Sequence, residues 1–194
     1  MDGDGLEAFS MRAVAERLHV TPRAIYRHVS AKDDLLLGVA NLILADMRLP
    51  SPDLPWRARI RGVAFELRRV LAAHPQATPI FAARNTSAPH AVVAIVDAVV
   101  GAFCDAGLDG ERAVRTFFAI FKYTLGFALT AAASPPEDAS NAATTFVGLD
   151  PEAGPFAVQV APFLSRFAGE RVSASDEQFG FGLDLVHDSV SSRL

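Results

Sequence analysis

The chain has 194 residues, 51% of them hydrophobic, and a formal net charge of −4. That length allows one large domain, or a small one joined to a larger one, with apolar material for a substantial core. The overall charge gives no hint of nucleic acid. The single cysteine, Cys104, excludes an intrachain disulfide framework and fits a reducing compartment; lying in an apolar run, it reads as a small buried hydrophobe rather than a reactive thiol. The start, "MDGDGLEAF", is acidic and has no basic region, so it is not a signal peptide. The longest apolar stretch, Ala91–Phe103, is too short to cross a bilayer and carries Asp97. The expectation is a cytoplasmic protein with no membrane association.

The pattern is helical throughout, without strand alternation, so the expected fold is all-α. Ser10 suits the N-cap of a short helix, Met11–Leu18, with Val14 and Leu18 one turn apart. After a turn at "HV", Thr21 can cap a second short helix, Pro22–Val29, with Pro22 in the first turn where its missing N–H costs nothing. Ser30 with Asp33 resembles a capping box opening a longer helix, Ala31–Met47, with Leu35, Val39, Leu42 and Ala45 as its apolar stripe. "PSPDLP" (Pro50–Pro55) then stops the helix, and the domain boundary is expected near it, dividing 1–48 from 49–194.

Beyond the prolines, Trp56–Leu71 places Ile60, Val63, Leu67, Val70 and Leu71 on one face and arginines on the other. A short segment around Ile80–Arg84 follows, then helices over Ala91–Ala106, ending at Gly107, and Glu111–Ala133. Ser134–Pro155, rich in Pro, Ala, Asn and Thr, predicts a mobile connection. Two last helices are expected at Phe156–Phe167 and Asp176–Arg193.

Two short helices joined by a turn and followed by a long one form a helix-turn-helix pattern. In that geometry the second helix enters the major groove. From Ser10 to Lys32 five basic residues (Arg12, Arg17, Arg23, Arg27, Lys32) face Glu16 alone, a local balance of +4 on an acidic body. Ile25 and Val29 would face inward to Val14 and Leu18. Arg23 could fork onto a guanine edge, while Tyr26, His28 and Lys32 could reach phosphates.

"SMRAVAERLHVTPRAIYRHVSAKDDLL" resembles the DNA-binding motif of the tetracycline-repressor (TetR) family of bacterial transcription regulators. "Tyr-x-His-Val" at Tyr26–Val29 is especially similar to the tetracycline repressors themselves. Further along, Trp56, "FKYTLGFAL" (Phe121–Leu129) and "FGFGLDLV" (Phe179–Val186) resemble later helices of the same family. The resemblance implies that Arg12 reads a base and that Pro22, Arg23 and Ala24 face the groove. It implies that Thr21, Tyr26, His28 and Lys32 hold phosphates, and it leaves Arg27 without a role. Family members carry a further helix, ~10–14 residues by the general average, ahead of the motif, and "DGDGLEAFSM" resembles its exit. Leu6, Phe9, Val14 and Ile25 would pack against such a helix. The expected explanation is a start lying upstream; a head weakened by truncation is the alternative.

In the body, Glu111–Ala133 carries Val114, Phe117, Phe118, Phe121, Leu125 and Leu129, spread over more than one face. The last helix offers the seam Phe179, Leu183, Val186, Val190 and Leu194. In the family these two helices form a four-helix bundle across a two-fold axis, which implies a homodimer interface at Leu125, Leu129, Phe179, Leu183, Val186 and Val190, and a palindromic duplex DNA operator. Fourteen Phe against two Tyr and one Trp suggest an apolar cavity, with Arg84, Asn85 and Lys122 as candidate orienting groups. By resemblance the ligand-facing residues are Arg48, Val63, Leu67, Phe81, Arg84, Phe117 and Phe121. Tetracycline repressors place a histidine where Phe81 stands and an acidic residue near Thr130. Neither is present here, so no metal, no tetracycline and no other cofactor is expected. No nucleophile–base pair, Gly-rich phosphate loop or metal motif points to an enzyme. The expected function is a ligand-responsive DNA-binding regulator, a repressor released from its operator by a small, largely apolar effector. The alternative is a ligand-binding dimer without competent DNA recognition.

Overall fold

A computed structural model describes residues 10–83, 90–133, 159–160, 163 and 175–191. The described residues are helical or in turns, without strands, as the sequence pattern requires. The chain divides into two compact units between Leu129 and Thr130.

In the first unit, α1 (Met11–Arg17) and α2 (Pro22–Tyr26) start where the sequence places them. Ser10 Oγ accepts from the Ala13 N–H at 3.1 Å and Thr21 Oγ1 from the Ala24 N–H at 3.3 Å. Each hydroxyl satisfies one of the orphan donors of a helix start. The turn between them holds His19 at φ 54, a left-handed conformation that costs a non-glycine residue strain. Met11, Ala15 and Ile25 form a small core, joined by Val14, Val29 and Leu35. Leu18 was expected inside and is instead 63% exposed, because α1 ends at Arg17 and the chain turns away before Leu18 can fold back.

The long connecting helix, α3, covers Lys32–Ala45. Its start corrects the expected Ser30–Asp33 box: the side chain involved is Asp34, whose Oδ2 accepts from the Ser30 and Ala31 N–H groups at 3.1 and 3.2 Å. Its apolar stripe is also shifted from the expected one. Leu36, Ala40, Ile43 and Leu44 are buried, Leu35 and Val39 are half-buried, and Leu42 (72% exposed) and Ala45 face out. So many apolar residues occupy this helix that spacing alone did not select the inward set.

The linker leads to α4 (Trp56–Ala73), which buries Ile60, Val63, Ala64, Leu67, Val70 and Leu71. Each of these Ile, Val and Leu side chains contributes about 1.5–3 kcal/mol when fully removed from water, so this stripe anchors the unit. Val70 joins Ala77 and Ile80 against Leu36, Ala40 and Ile43 of α3. A 3-10 turn (Pro75–Ala77) precedes α5 (Thr78–Ala83). Then come α6 (His90–Asp105), stopped by Gly107 at φ 97, and α7 (Gly110–Ala133). Trp56 meets Phe103 at 6.4 Å between ring centroids, and Arg59 pairs with Asp105, fastening the start of α4 to the end of α6. Cys104, in that last turn, is exposed rather than buried, a correction to the sequence expectation: its neighbours Ala102 and Phe103 take the inward positions.

In the second unit, α8 (Asp176–Ser191) is capped by Ser175, whose Oγ accepts from the Gln178 N–H at 3.1 Å. Of the helix expected over 156–167, Gln159, Val160 and Phe163 are described, and all three are helical. Leu6, Phe9, the Ser134–Pro155 connection and Leu194 lie outside the described residues. No described helix is long and apolar enough to cross a membrane.

Candidate functional site

Two places in the first unit bring functional side chains together. The earlier in the chain is the α1–turn–α2 face. Thr21 and Pro22 start α2, and Arg23, Tyr26, Arg27, His28 and Lys32 follow, all exposed. Ala24 is half-buried above Ile25, which anchors α2 from below. Tyr26 presents its ring and hydroxyl to solvent at 53% exposure, where the O–H could donate to a phosphate. Thr21 Oγ1 accepts the capping bond, which leaves its own O–H able to donate outward. Arg12 is exposed and pairs with Glu16 at 3.1 Å. A solvated pair of this kind is worth at most about 1 kcal/mol and yields readily to a phosphate or base edge.

The second place is a cavity between α3, α4, α6 and α7, of about 40 Å³. Val63, Leu67, Phe117 and Phe121, all expected at a ligand, line it. Phe117 and Phe121 stack at 6.0 Å with an interplanar angle of 19°. The lining also includes Ile60, Ala64, Ile95, Val99 and Ile120, whose only signal in the sequence is ordinary core periodicity. Thr124 is the one polar residue among the described lining residues, and its hydroxyl donates to the Ile120 carbonyl at 2.9 Å, so its proton is already engaged. A pocket for a drug-sized molecule needs roughly 300–1,000 Å³. At about 40 Å³ the walls stand nearly closed, and a ligand would have to part them.

Phe81 and Arg48, also expected at a ligand, lie elsewhere. Phe81 packs on the Leu36–Ala40–Ile43 cluster instead of lining the cavity. Arg48 is exposed in the linker, with its backbone N–H donating to Glu66 Oε1 at 2.9 Å. Lys122 is exposed, and Arg84 and Asn85 lie outside the described residues. Beside the cavity wall, burial pushes the Tyr123 phenol above its ordinary value, with Arg68 working against that shift. Among the described residues no group of three His, Cys, Asp or Glu side chains could hold a metal ion.

Comparison with known proteins decides the family. A family model described as "Bacterial regulatory proteins, tetR family" matches residues 2–39, and one described as "Tetracyclin repressor-like, C-terminal domain" matches residues 49–193. The chain belongs to the TetR family. Among its relatives, an HTH-type transcriptional regulator of Saccharopolyspora erythraea is 35% identical over 127 residues, 65% of this chain and 53% of that protein. The class C tetracycline repressor of Escherichia coli is 34% identical over 133 residues, 67% of this chain and 60% of that protein. The matched stretch thus spans little more than half the length of either. The class A repressor from transposon 1721 is 28% identical over 97% of this chain and 84% of its own. Among solved structures, a TetR regulator from Streptomyces coelicolor superposes with a TM-score of 0.76 at 27% identity, covering 98% of this chain and 91% of that one. ActR of the same organism reaches 0.81 at 23% identity, covering 100% and 92%, which speaks for the TetR fold alone.

The expected dimer residues divide by burial. In α8, Phe179, Leu183 and Val190 are buried within the single chain and Val186 is half-buried; in α7, Leu125 is buried and Leu129 half-buried. The apolar side chains that α8 leaves exposed are Phe181 and Leu185, one turn apart and 58% and 59% exposed. Four of the six expected seam residues, Leu125, Phe179, Leu183 and Val190, are thus already shielded from water in the single chain.

Proposed function

We propose that the chain is a cytoplasmic, homodimeric, ligand-responsive transcriptional regulator, acting as a repressor released from a palindromic duplex operator by a small, largely apolar effector. Residues 1–48 form the DNA-binding head with its connecting helix, and 49–194 the effector-binding and dimerisation domain. The observation that carries the reading is the +4 balance between Ser10 and Lys32, exposed on two capped short helices and the turn and helix start that follow them, on a chain of net charge −4. Arg23 is the principal base reader and Arg12 a second, with Pro22 and Ala24 offering apolar contact to thymine methyls. Thr21, Tyr26, His28 and Lys32 hold phosphates and fix the register.

The effector enters the cavity between α3, α4, α6 and α7. Among the described residues the lining holds no ionisable side chain and its one hydroxyl is engaged, so it favours an uncharged, apolar molecule. Occupancy parts the walls and, because Leu44 of α3 is one of them, shifts the connecting helix and the head. Phe181 and Leu185 are the contacts α8 offers a second copy. The chain carries out no catalysis of its own.

Selection of bound sequences from a random duplex pool tests this reading. It is expected to enrich a two-fold-symmetric site, and Arg23→Ala to relax the preference at one position in each half-site. An unenriched pool, with binding that salt removes equally for all sequences, refutes it.

A further inference from the structure

The segment between α3 and α4 is not slack. Asp46, at the end of α3, receives Arg69 Nη2 on its Oδ2 at 3.2 Å and on its carbonyl oxygen at 3.3 Å. Two residues on, the Arg48 N–H donates to Glu66 Oε1 at 2.9 Å. Two further on, the Pro50 ring lies against Gly62, where an added Cβ would meet the Pro50 Cβ and Cγ at 3.3 Å. Arg69 and Glu66 are themselves joined twice, Nε to Oε2 at 3.0 Å and Nη2 to Oε1 at 2.8 Å. Alternate residues of the linker (46, 48, 50) thus dock on successive turns of α4 (69, 66, 62), running antiparallel to it.

The lengths match. Seven helical residues from Gly62 to Arg69 rise ~10 Å, and four extended linker residues reach at most ~14 Å. Each contact also has a chemical reason. The Arg69 guanidinium sits at the negative end of the α3 dipole, and its planar fork suits the Glu66 carboxylate. Gly62 is where α4 lacks the side chain that would hold the linker off.

We propose that Asp46–Pro50 is a strap by which α4 fixes the direction of the helix-turn-helix head, with Arg69 as its latch and Gly62 as its seat. The same helix lines the cavity with Ile60, Val63, Ala64 and Leu67. A shift of α4 is therefore carried along the strap to the end of α3, separately from the Leu44 wall contact. The consequence for operator binding rests on the function proposed above, whereas the strap itself does not. Arg69 is a positioning residue: half its side chain is exposed, so its removal is expected to move thermal stability little and head orientation much.

The test uses the full chain and its native exposed Cys104, spin-labelled together with Ala13→Cys on α1 and diluted into unlabelled chain so that only intrachain distances are read. The parent is expected to give one narrow distance distribution. Arg69→Gln and, independently, Pro50→Gly are expected to broaden it or move its maximum while the melting temperature changes little. Arg115→Gln, which breaks the exposed pair with Glu111, is expected to leave it unchanged. A narrow, unmoved distribution in Pro50→Gly, or in a folded Arg69→Gln, overturns the strap. A broadened one, from a parent chain that binds no operator, upholds the strap and refutes the functional reading alone.

Discussion

Asn41 offers a sharp test of how α3 is tied to the cavity wall. It lies half-buried on α3, and its Oδ1 accepts from the Ala91 N–H at 3.2 Å, a remote cap on the first turn of α6 supplied from 50 residues earlier. Four N–H groups at any helix start lack intrahelical partners. Asn41→Ala strips one of them. Losing a cap costs about 0.5–2 kcal/mol, and an unsatisfied fully buried donor about 1–3 kcal/mol. The site is only partly buried, so water recovers some of that cost and about 1 kcal/mol is expected. For a chain of this size that lowers the melting temperature by roughly 2–4 °C. Asn41→Asp keeps the acceptor and adds a negative charge at the positive end of α6, worth about 0.3–1 kcal/mol. The expected order of stability is therefore Asp at or above Asn, and Ala below both. Thermal melts at pH 7 and fixed protein concentration, with amide exchange at Ala91, give the readout. An Ala variant indistinguishable from the parent, or an Asp variant as damaged as the Ala one, refutes the cap.

Four further outcomes are expected. Leu36→Ala costs about 2–5 kcal/mol as a core truncation, whereas Leu42→Lys stays within about 0.5 kcal/mol; denaturant melts showing the reverse would restore the stripe expected from sequence. His19→Gly relieves left-handed strain of about 1–2 kcal/mol less glycine's own entropy of about 0.5–1 kcal/mol, so stability rises by up to about 1.5 kcal/mol; a loss in the same melts contradicts this. Phe181→Glu with Leu185→Lys yields a folded monomer in analytical ultracentrifugation, while Leu183→Ala unfolds first; an intact dimer in the double variant removes α8's outer face from the interface. Finally, the hydrogen bonds from Arg69 and then the Arg48 N–H hold the Glu66 carboxyl below its ordinary value. A depressed carboxyl stabilises the fold above its unfolded value, and that contribution is lost as pH falls through the folded one. Acid titration of Glu66→Gln against the parent is expected to show a difference at neutral pH that closes in acid; a constant difference refutes it.

Much of the head was legible in the sequence because its signals are local. Ser10, Thr21 and Pro22 fix two helix starts by short-range chemistry, and both stand where spacing placed them. The inward set of α3 was not legible. Leu35, Leu36, Leu37, Leu42, Ile43 and Leu44 allow several stripes, and the choice is made by Val70, Ala77 and Ile80, which lie far along the chain. The cavity was half legible for the same reason. Val63, Leu67, Phe117 and Phe121 came from family resemblance, whereas Ile60, Val99 and Thr124 look like ordinary core until three helices converge. The Arg69–Glu66–Asp46 latch left no local trace, since its members are ordinary surface charges until the linker folds back on α4.

The most direct measurement is fluorescence anisotropy of the purified chain titrated into labelled duplex from its own upstream intergenic region, repeated across salt and against random duplex. Saturable binding in the nanomolar range, outcompeting random duplex and lost in Arg23→Ala, is the result expected of an operator-reading head. Weak binding, equal for all duplexes and gone at moderate salt, would contradict it.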